Sequence, residues 1–353
     1  MTIPGSARPR AAAALSALAL SSLLLTACAG GGDTGSAEEA APESFGDITV
    51  QLSWIKNEEF AGEYFADANG YYAEAGFDSV NLVPGPSTGV AELAGGTADI
   101  AINDSVSTGA AVANEGAPLK IIGTTLQKNP FTILSLADGG NILTPADLVG
   151  KTIGVQDSNR SLFDAFLVAN GIDASDVEIV PVQYDPSPVA NGEVDGFMAY
   201  LTNEAISVEM LGLATSNLPF ADNGMPFVAE TFTVTDETLQ SDREMLKAFL
   251  VAEIRGWGDA LADPDEGARL ALEEYGADLD LDPEKTLAGM LATNELVVTE
   301  ETEANGLFTI SEELQAETVE SLARAGIELE VSDLFDLSLL EEVYAENPDL
   351  REE

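Results

Sequence analysis

Between residues 48 and 53 apolar and polar positions alternate one for one: Ile48, Val50 and Leu52 against Thr49, Gln51 and Ser53. A period of two predicts a strand with one inward face. After Trp54 and the polar turn Ile55-Lys56-Asn57-Glu58-Glu59, the apolar positions shift to near-helical spacing at Phe60, Tyr64, Phe65, Ala68, Tyr71 and Tyr72, and Gly76 stops the run. Trp54 therefore falls where the carboxyl end of a strand meets the amino end of a helix. Open α/β sheets bind ligands at such places, because loops and free backbone N–H groups line the crevice. Trp54 and Tyr64 are candidates for ligand contact; the competing reading makes them ordinary core aromatics.

The same alternation of elements continues. Strands are expected at 78–83, 99–102 and 119–123. Between them come a helix over 89–95, capped by Ser87 or Thr88, and an Ala-rich helix that follows Asn103-Asp104-Ser105 and runs to Gly116. A second series opens with Thr144 as a helix cap, Pro145 as first helical residue and Gly150 as stop. It continues with strand 152–155, helix 161–170, strand 177–182, short helix 186–192, strand 195–200 and helix 202–212. Strand and helix in turn mean βαβ units and largely parallel sheets. Residues 131–136 and 227–234 read as extended crossovers between the two series. From Ser241 the text is helical, with one stripe through Met245, Leu246, Phe249, Leu250, Ile254, Trp257 and Ala260. Two crossings between two α/β series describe a two-lobed clamp, with residues 46–136 plus 227–353 in one lobe and 137–226 in the other.

The amino end follows another pattern. Arg8 and Arg10 precede an apolar run, 11–25, that is short for a membrane span, and Leu25-Thr26-Ala27 lead into Cys28. Residues 1–27 are read as a lipoprotein signal peptide, because the junction resembles a bacterial lipobox in which the exposed cysteine is acylated. Residues 28–45, rich in Gly, Ala and Glu, are read as a flexible tether. Cys28 is the one cysteine of the chain, so an internal disulfide, a thiolate metal cluster and a Cys–His pair are all excluded. The body is expected on the extracytoplasmic face of the cell membrane, held to the lipid bilayer through Cys28.

Charge narrows the partners. The chain has 14 basic and 62 acidic residues, a net −48; loss of Arg8 and Arg10 with the signal takes this to −50. Such a surface repels nucleic acid and anionic headgroups. It reads as an acid-rich solvated exterior, and with 45% hydrophobic residues the chain is no disordered segment.

The order of features resembles a periplasmic-binding-protein fold of the second type, the solute receptor of a bacterial ABC importer, with two mainly parallel sheets flanked by helices. Within that fold it resembles the branch of receptors for thiamine-pyrimidine precursors (formylaminopyrimidine), riboflavin, and alkanesulfonates or taurine. The likeness rests on the Trp54–Asn57 opening, on Gly62-Glu63-Tyr64 before Asn69-Gly70-Tyr71-Tyr72, and on 95–102 (GGTADIAI). It rests further on 144–154 (TPADLVGKTIG) and 192–197 (GEVDGF). The run Tyr200-Leu201-Thr202-Asn203-Glu204 is more like the pyrimidine-precursor and riboflavin receptors than the sulfonate ones.

What the resemblance implies is an aromatic platform from Trp54, Tyr64, Tyr184 and Tyr200, with Asn57, Asn103, Asp104, Asn203 and Glu204 supplying amides and carboxylates. That set suits a flat nitrogen heterocycle: a ring face stacks while acids accept from amines or ring N–H groups. Asn203 and Glu204 read equally well as a helix cap with a dipole-favoured acid. A sulfonate needs cationic or N–H-rich donors; the loop Gln156-Asp157-Ser158-Asn159-Arg160 offers one base against one acid, and Gln156 and Ser158 are its candidates.

The fungal thiamine-pyrimidine synthase shares the superfamily, and the resemblance implies dependence on a histidine and a cysteine-rich iron motif. This chain has no histidine, which removes that chemistry and most general-base schemes near neutral pH. A carboxylate-pair hydrolase is open by residue type, but no spacing singles out a pair. The expectation is a monomeric receptor, not an enzyme, without cofactor or metal, working with ABC transporter membrane subunits on a small-molecule ligand.

Overall fold

The computed structural model describes residues 44–352. The signal segment, the lipidation at Cys28 and the tether as far as residue 43 lie outside the described residues. Phe45, placed in the tether by the sequence, already belongs to the body: its N–H donates to Gly76 O at 2.9 Å and its ring lies 5.5 Å from that of Phe77.

Among the described residues ten strands form two five-stranded sheets. The first holds β1 (Gly46–Gln51), β2 (Phe77–Val83), β3 (Ile100–Asn103), β4 (Leu119–Leu126) and β10 (Ala229–Thr235), in the order β2-β1-β3-β10-β4. The second holds β5 (Phe131–Leu136), β6 (Thr152–Gln156), β7 (Glu178–Val182), β8 (Gly196–Tyr200) and β9 (Thr215–Pro219), in the order β7-β6-β8-β5-β9. The alternating stretch at 48–53 is the second strand of its sheet, with Val50 and Leu52 fully buried.

The sheets are mixed rather than mainly parallel, which corrects the sequence expectation. β1–β2, β1–β3, β6–β7 and β6–β8 are parallel, whereas β10 runs against β3 and β4, and β5 against β8 and β9. The reversed strands are the two stretches read as crossovers. Each enters directly from the other sheet without an intervening crossover helix, and a parallel neighbour would require such a helix. Residues 131–136 thus pair within the second sheet, and the passages between sheets run over 127–130 and 220–228. The passages bond to each other: Asn129 N donates to Phe227 O and its Nδ2 to Met225 O, both at 3.0 Å. Strand β9 was not anticipated; five residues with Asn217 and Pro219 carry little strand signal, and the strand forms because β5 offers it an edge.

Helices cover the sheets. The expected run from Phe60 to Gly76 is broken into Ala61–Ala68 and Tyr71–Glu74. Gly70 sits between them at φ 77°, a left-handed position that ends a helix. Arg243–Ala262 carries the expected stripe and packs on Ala61–Ala68. The two approach closely at Gly256, where a Cβ would stand 2.2 Å from Gly62 O. Glu312–Arg324, far along the chain, packs on Arg160–Ala169 beside the second sheet, and Ser321 Oγ donates to Pro226 O in a passage. No helix among the described residues is long and apolar enough to cross a membrane.

Candidate functional site

The loops at the carboxyl ends of β1, β2, β3, β6 and β8 converge on one cavity of about 490 Å³, part of it open to solvent. Ser53 and Trp54 follow β1, Ser87 and Thr88 follow β2, and Asn103 and Asp104 close β3. Gln156, Ser158 and Asn159 come from the end of β6, Met198 to Tyr200 from β8, and Phe131 from the start of β5. Glu59 and Glu204 complete the wall. Gly89 makes the β2 loop possible: it adopts φ 70°, and a Cβ there would stand 2.3 Å from Ala101 Cβ.

Several expected site residues act as wall and support together. Trp54 is 9% exposed and lines the cavity. Asn103 spends its amide on the framework: Nδ2 donates to Thr88 O at 2.6 Å, while Oδ1 accepts from Thr231 at 2.9 Å and Thr233 at 2.8 Å. Asp104 caps its own helix, accepting from Val106 N at 2.9 Å and Ser107 N at 2.8 Å. That N-terminus is thereby already filled by a carboxylate. Gln156 Nε2 donates to Met198 O at 2.9 Å and its Oε1 accepts from Asn159 at 3.1 Å. The Ser158 hydroxyl is buried with no partner in the protein, which leaves it for a ligand.

Others fall elsewhere. Tyr64 is not on the cavity wall; it is fully buried and stacks on Tyr275 at 4.2 Å, as a helix residue facing the core does. Asn57 is buried as the cap of the turn Glu58–Phe60, accepting from Glu59 N at 3.2 Å. Tyr184, 43% exposed, and Asn203 line an outer cleft that shares Trp54 and Glu204 with the cavity. Asn203 precedes the helix Glu204–Met210 but makes no side-chain cap; its Nδ2 instead donates to Glu59 Oε1 at 2.6 Å.

Two acids were not singled out beforehand. Glu59 lies in the anticipated polar turn, yet is buried and faces the cavity, where it accepts from Asn57 and Asn203. Glu230 sits inside the apolar run of β10, 3% exposed, accepting from Ser53 Oγ at 2.8 Å and Tyr200 Oη at 2.9 Å. Its φ of 50° is one a glutamate avoids by roughly 1–2 kcal/mol. An acid amid Phe227, Val228, Ala229 and Phe232 was the available signal, since a buried charge demands partners.

Burial governs the electrostatics. It raises Glu204 to about 7, against the backbone N–H of Tyr200 and the charge of Lys285, which pull it down. Burial likewise raises Glu230 to about 7 against its bonds from Ser53 and Tyr200. Glu59 is pushed well above the usual carboxyl range, first by burial and then by Glu230, Glu204 and Glu58. Asp104 is raised by burial as well, opposed by the Ser107 and Val106 bonds. No lysine or arginine is among the residues lining the cavity. The nearby cation, Lys285, is bound to Glu58 in a buried pair. Among the described residues no group of three or more acids is placed to hold a metal ion. The cavity thus sets aromatic side chains beside carboxyls, hydroxyls and amides, with no cation among the lining residues.

A family model described as NMT1/THI5 like matches residues 57–267. The chain is 27% identical over 274 residues to a riboflavin-binding protein of Chloroflexus aurantiacus, covering 71% of this chain and 75% of that one. It is 25% identical over 236 residues to a formylaminopyrimidine-binding protein of Halalkalibacterium halodurans, covering 65% and 71%. Among solved structures, the periplasmic aliphatic sulphonate binding protein of Escherichia coli superimposes with a TM-score of 0.58 at 14% identity, covering 80% of this chain and 91% of that one. A desulfurization enzyme does so with 0.54 at 13% identity, covering 85% and 99%. At such identities these structures show the fold, and it is that of the periplasmic binding proteins.

Proposed function

This chain belongs to the NMT1/THI5-like family, and from that premise we propose that it is the solute receptor of an ABC importer, capturing a small nitrogen heterocycle between two lobes. The observation that carries the reading is the cavity wall: Trp54 beside Glu59, Glu204 and Asp104, with no lysine or arginine among the lining residues. A flat ring stacks on the indole while its amines or ring N–H groups donate to the carboxyls. Each sheet is the core of one lobe in this reading, and the lobes turn on the paired passages 127–130 and 220–228. Ligand binding favours the closed state, which the importer's membrane subunits recognise.

One observation favours a sulfonate instead, the unpartnered hydroxyl of Ser158. Against it stand the acids of the wall, and an anion there meets repulsion from each one that is ionised. Carboxyls poised near 7, such as Glu204 and Glu230, are also what proton-transfer catalysis uses, so receptor and enzyme are separated by the fate of the ligand. Titration with an aminopyrimidine precursor and with riboflavin is expected to quench tryptophan emission, and the ligand recovered afterwards is expected to be unchanged. Conversion of the ligand by the protein alone would move the protein to the enzyme class.

The anchor has its own test. Cys28→Ala is expected to release the protein from the membrane fraction, since no second cysteine exists to carry lipid. Retention equal to that of the unsubstituted chain would refute the assignment.

A further inference from the structure

Two hydrogen bonds beside the cavity link residues that follow or belong to strands of different sheets, and both end on buried acids. Glu59, after β1, accepts from Asn203 of the helix that follows β8, at 2.6 Å. Glu230, on β10, accepts from the hydroxyl of Tyr200 at the end of β8, at 2.9 Å. The acids come from the first sheet and the donors from the second. We propose that these pairs are a proton-gated latch: the lobes close as Glu59 and Glu230 take up protons, so closure without ligand, and capture of an uncharged ligand, strengthen as the pH falls. The inference rests on the clamp reading above and adds a regulation to the same site.

The surroundings of the two acids are what make protons matter. Glu59 faces Glu58 from its own turn, Glu204 from the opposite lobe, Glu230 from β10 and one cation, Lys285, from the helix Pro283–Val297. Glu230 faces Asp104 beyond β3, Glu59 from the turn after β1 and Glu63 from the helix Ala61–Ala68, together with the neutral hydroxyls of Ser53 and Tyr200. Each acid is less than 5% exposed. Parting the lobes carries Asn203 and Tyr200 away and lets water reach both carboxyls. Closing them as carboxylates sets several negative charges together out of water, and one lysine does not balance them. A proton on the acid removes that cost, and a protonated amine of a ligand removes it equally well.

Closure raises the affinity of these groups for protons above that of wet carboxyls. The advantage of the closed form is therefore complete below the ordinary carboxyl value of 4.5 and lost as pH rises through about 7, the value for Glu230.

The test uses the whole chain with no ligand added, so that an error in the ligand class leaves it untouched. Small-angle scattering is expected to give a smaller radius of gyration at pH 5.5 than at pH 8.5. The double variant Glu59→Gln/Glu230→Gln keeps neutral acceptors at both positions and is expected to change less in radius between the two pH values than the unsubstituted chain, the remainder coming from Glu204. Tyr200→Phe keeps the acid and removes its donor, and is expected to be more open than the unsubstituted chain at pH 5.5. Circular dichroism confirms that each variant is folded. If the double variant does not fold, the pH response of the unsubstituted chain and of Tyr200→Phe decides. A radius unchanged between pH 5.5 and 8.5, a double variant that follows the same pH response, or a Tyr200→Phe protein as compact as the parent would each overturn the latch.

Discussion

Replacing Lys285 with methionine is expected to cost about 3–5 kcal/mol of folding stability. The ammonium is bound to Glu58, whose side chain is wholly buried while that of Lys285 is 10% exposed. Removing one partner of such a pair leaves a charge out of water with nothing to balance it, and that costs about 3–5 kcal/mol where measured. The surroundings here aggravate the loss, because Glu59 and Glu204 also feel the lysine, which lowers both. Urea denaturation at pH 7 measures the change as a shift of midpoint at constant slope. Combining Lys285→Met with Glu58→Gln is expected to restore most of the stability, because a neutral pair of similar volume needs no counter-charge. A Lys285→Met protein within 1 kcal/mol of the parent would refute the expectation.

That pair also marks the limit of what the sequence displays. The strand-turn-helix reading around Trp54 depends on local spacing, and local spacing is written in the chain: β1, the Thr144–Pro145 cap and the helix Arg243–Ala262 all appear where the pattern puts them. Glu58 and Lys285 are 227 residues apart, and nothing periodic links them. Glu58 and Glu59 are chemically identical neighbours in one polar turn, yet one turns to Lys285 and the other to the cavity. Only the packing of the Pro283–Val297 helix decides which.

Tyr64 shows the opposite failure. Its helical spacing with Phe60 marks it as aromatic and inward, but inward meant the core and Tyr275 rather than the ligand crevice. The mixed sheets were hidden for a related reason. Strand direction depends on which sheet a stretch joins, and the apolar run at 131–136 reads the same in either.

The last expectation concerns ligand class and turns on Trp54. Loss of the indole in Trp54→Ala is expected to weaken an aminopyrimidine or a flavin by about 1–3 kcal/mol, the usual worth of a stacked base on an aromatic side chain. That is roughly ten- to hundredfold in affinity. The ring lines the cavity and also packs in the cluster that holds Phe60 and Tyr64, so circular dichroism first confirms that Trp54→Ala is folded and the titration then reads the ligand contact. An anion held by Ser158 and neighbouring N–H groups behaves differently: its binding weakens with salt and depends little on the indole. Calorimetric titration of the parent and of Trp54→Ala with an aminopyrimidine precursor, riboflavin and taurine, at low and high salt, separates the two cases. Heterocycle binding that is insensitive to salt and falls at least tenfold on loss of the ring supports the aromatic site. Tight taurine binding that survives Trp54→Ala and fades with salt would place the protein with the sulfonate receptors instead, because only an anion site has both properties.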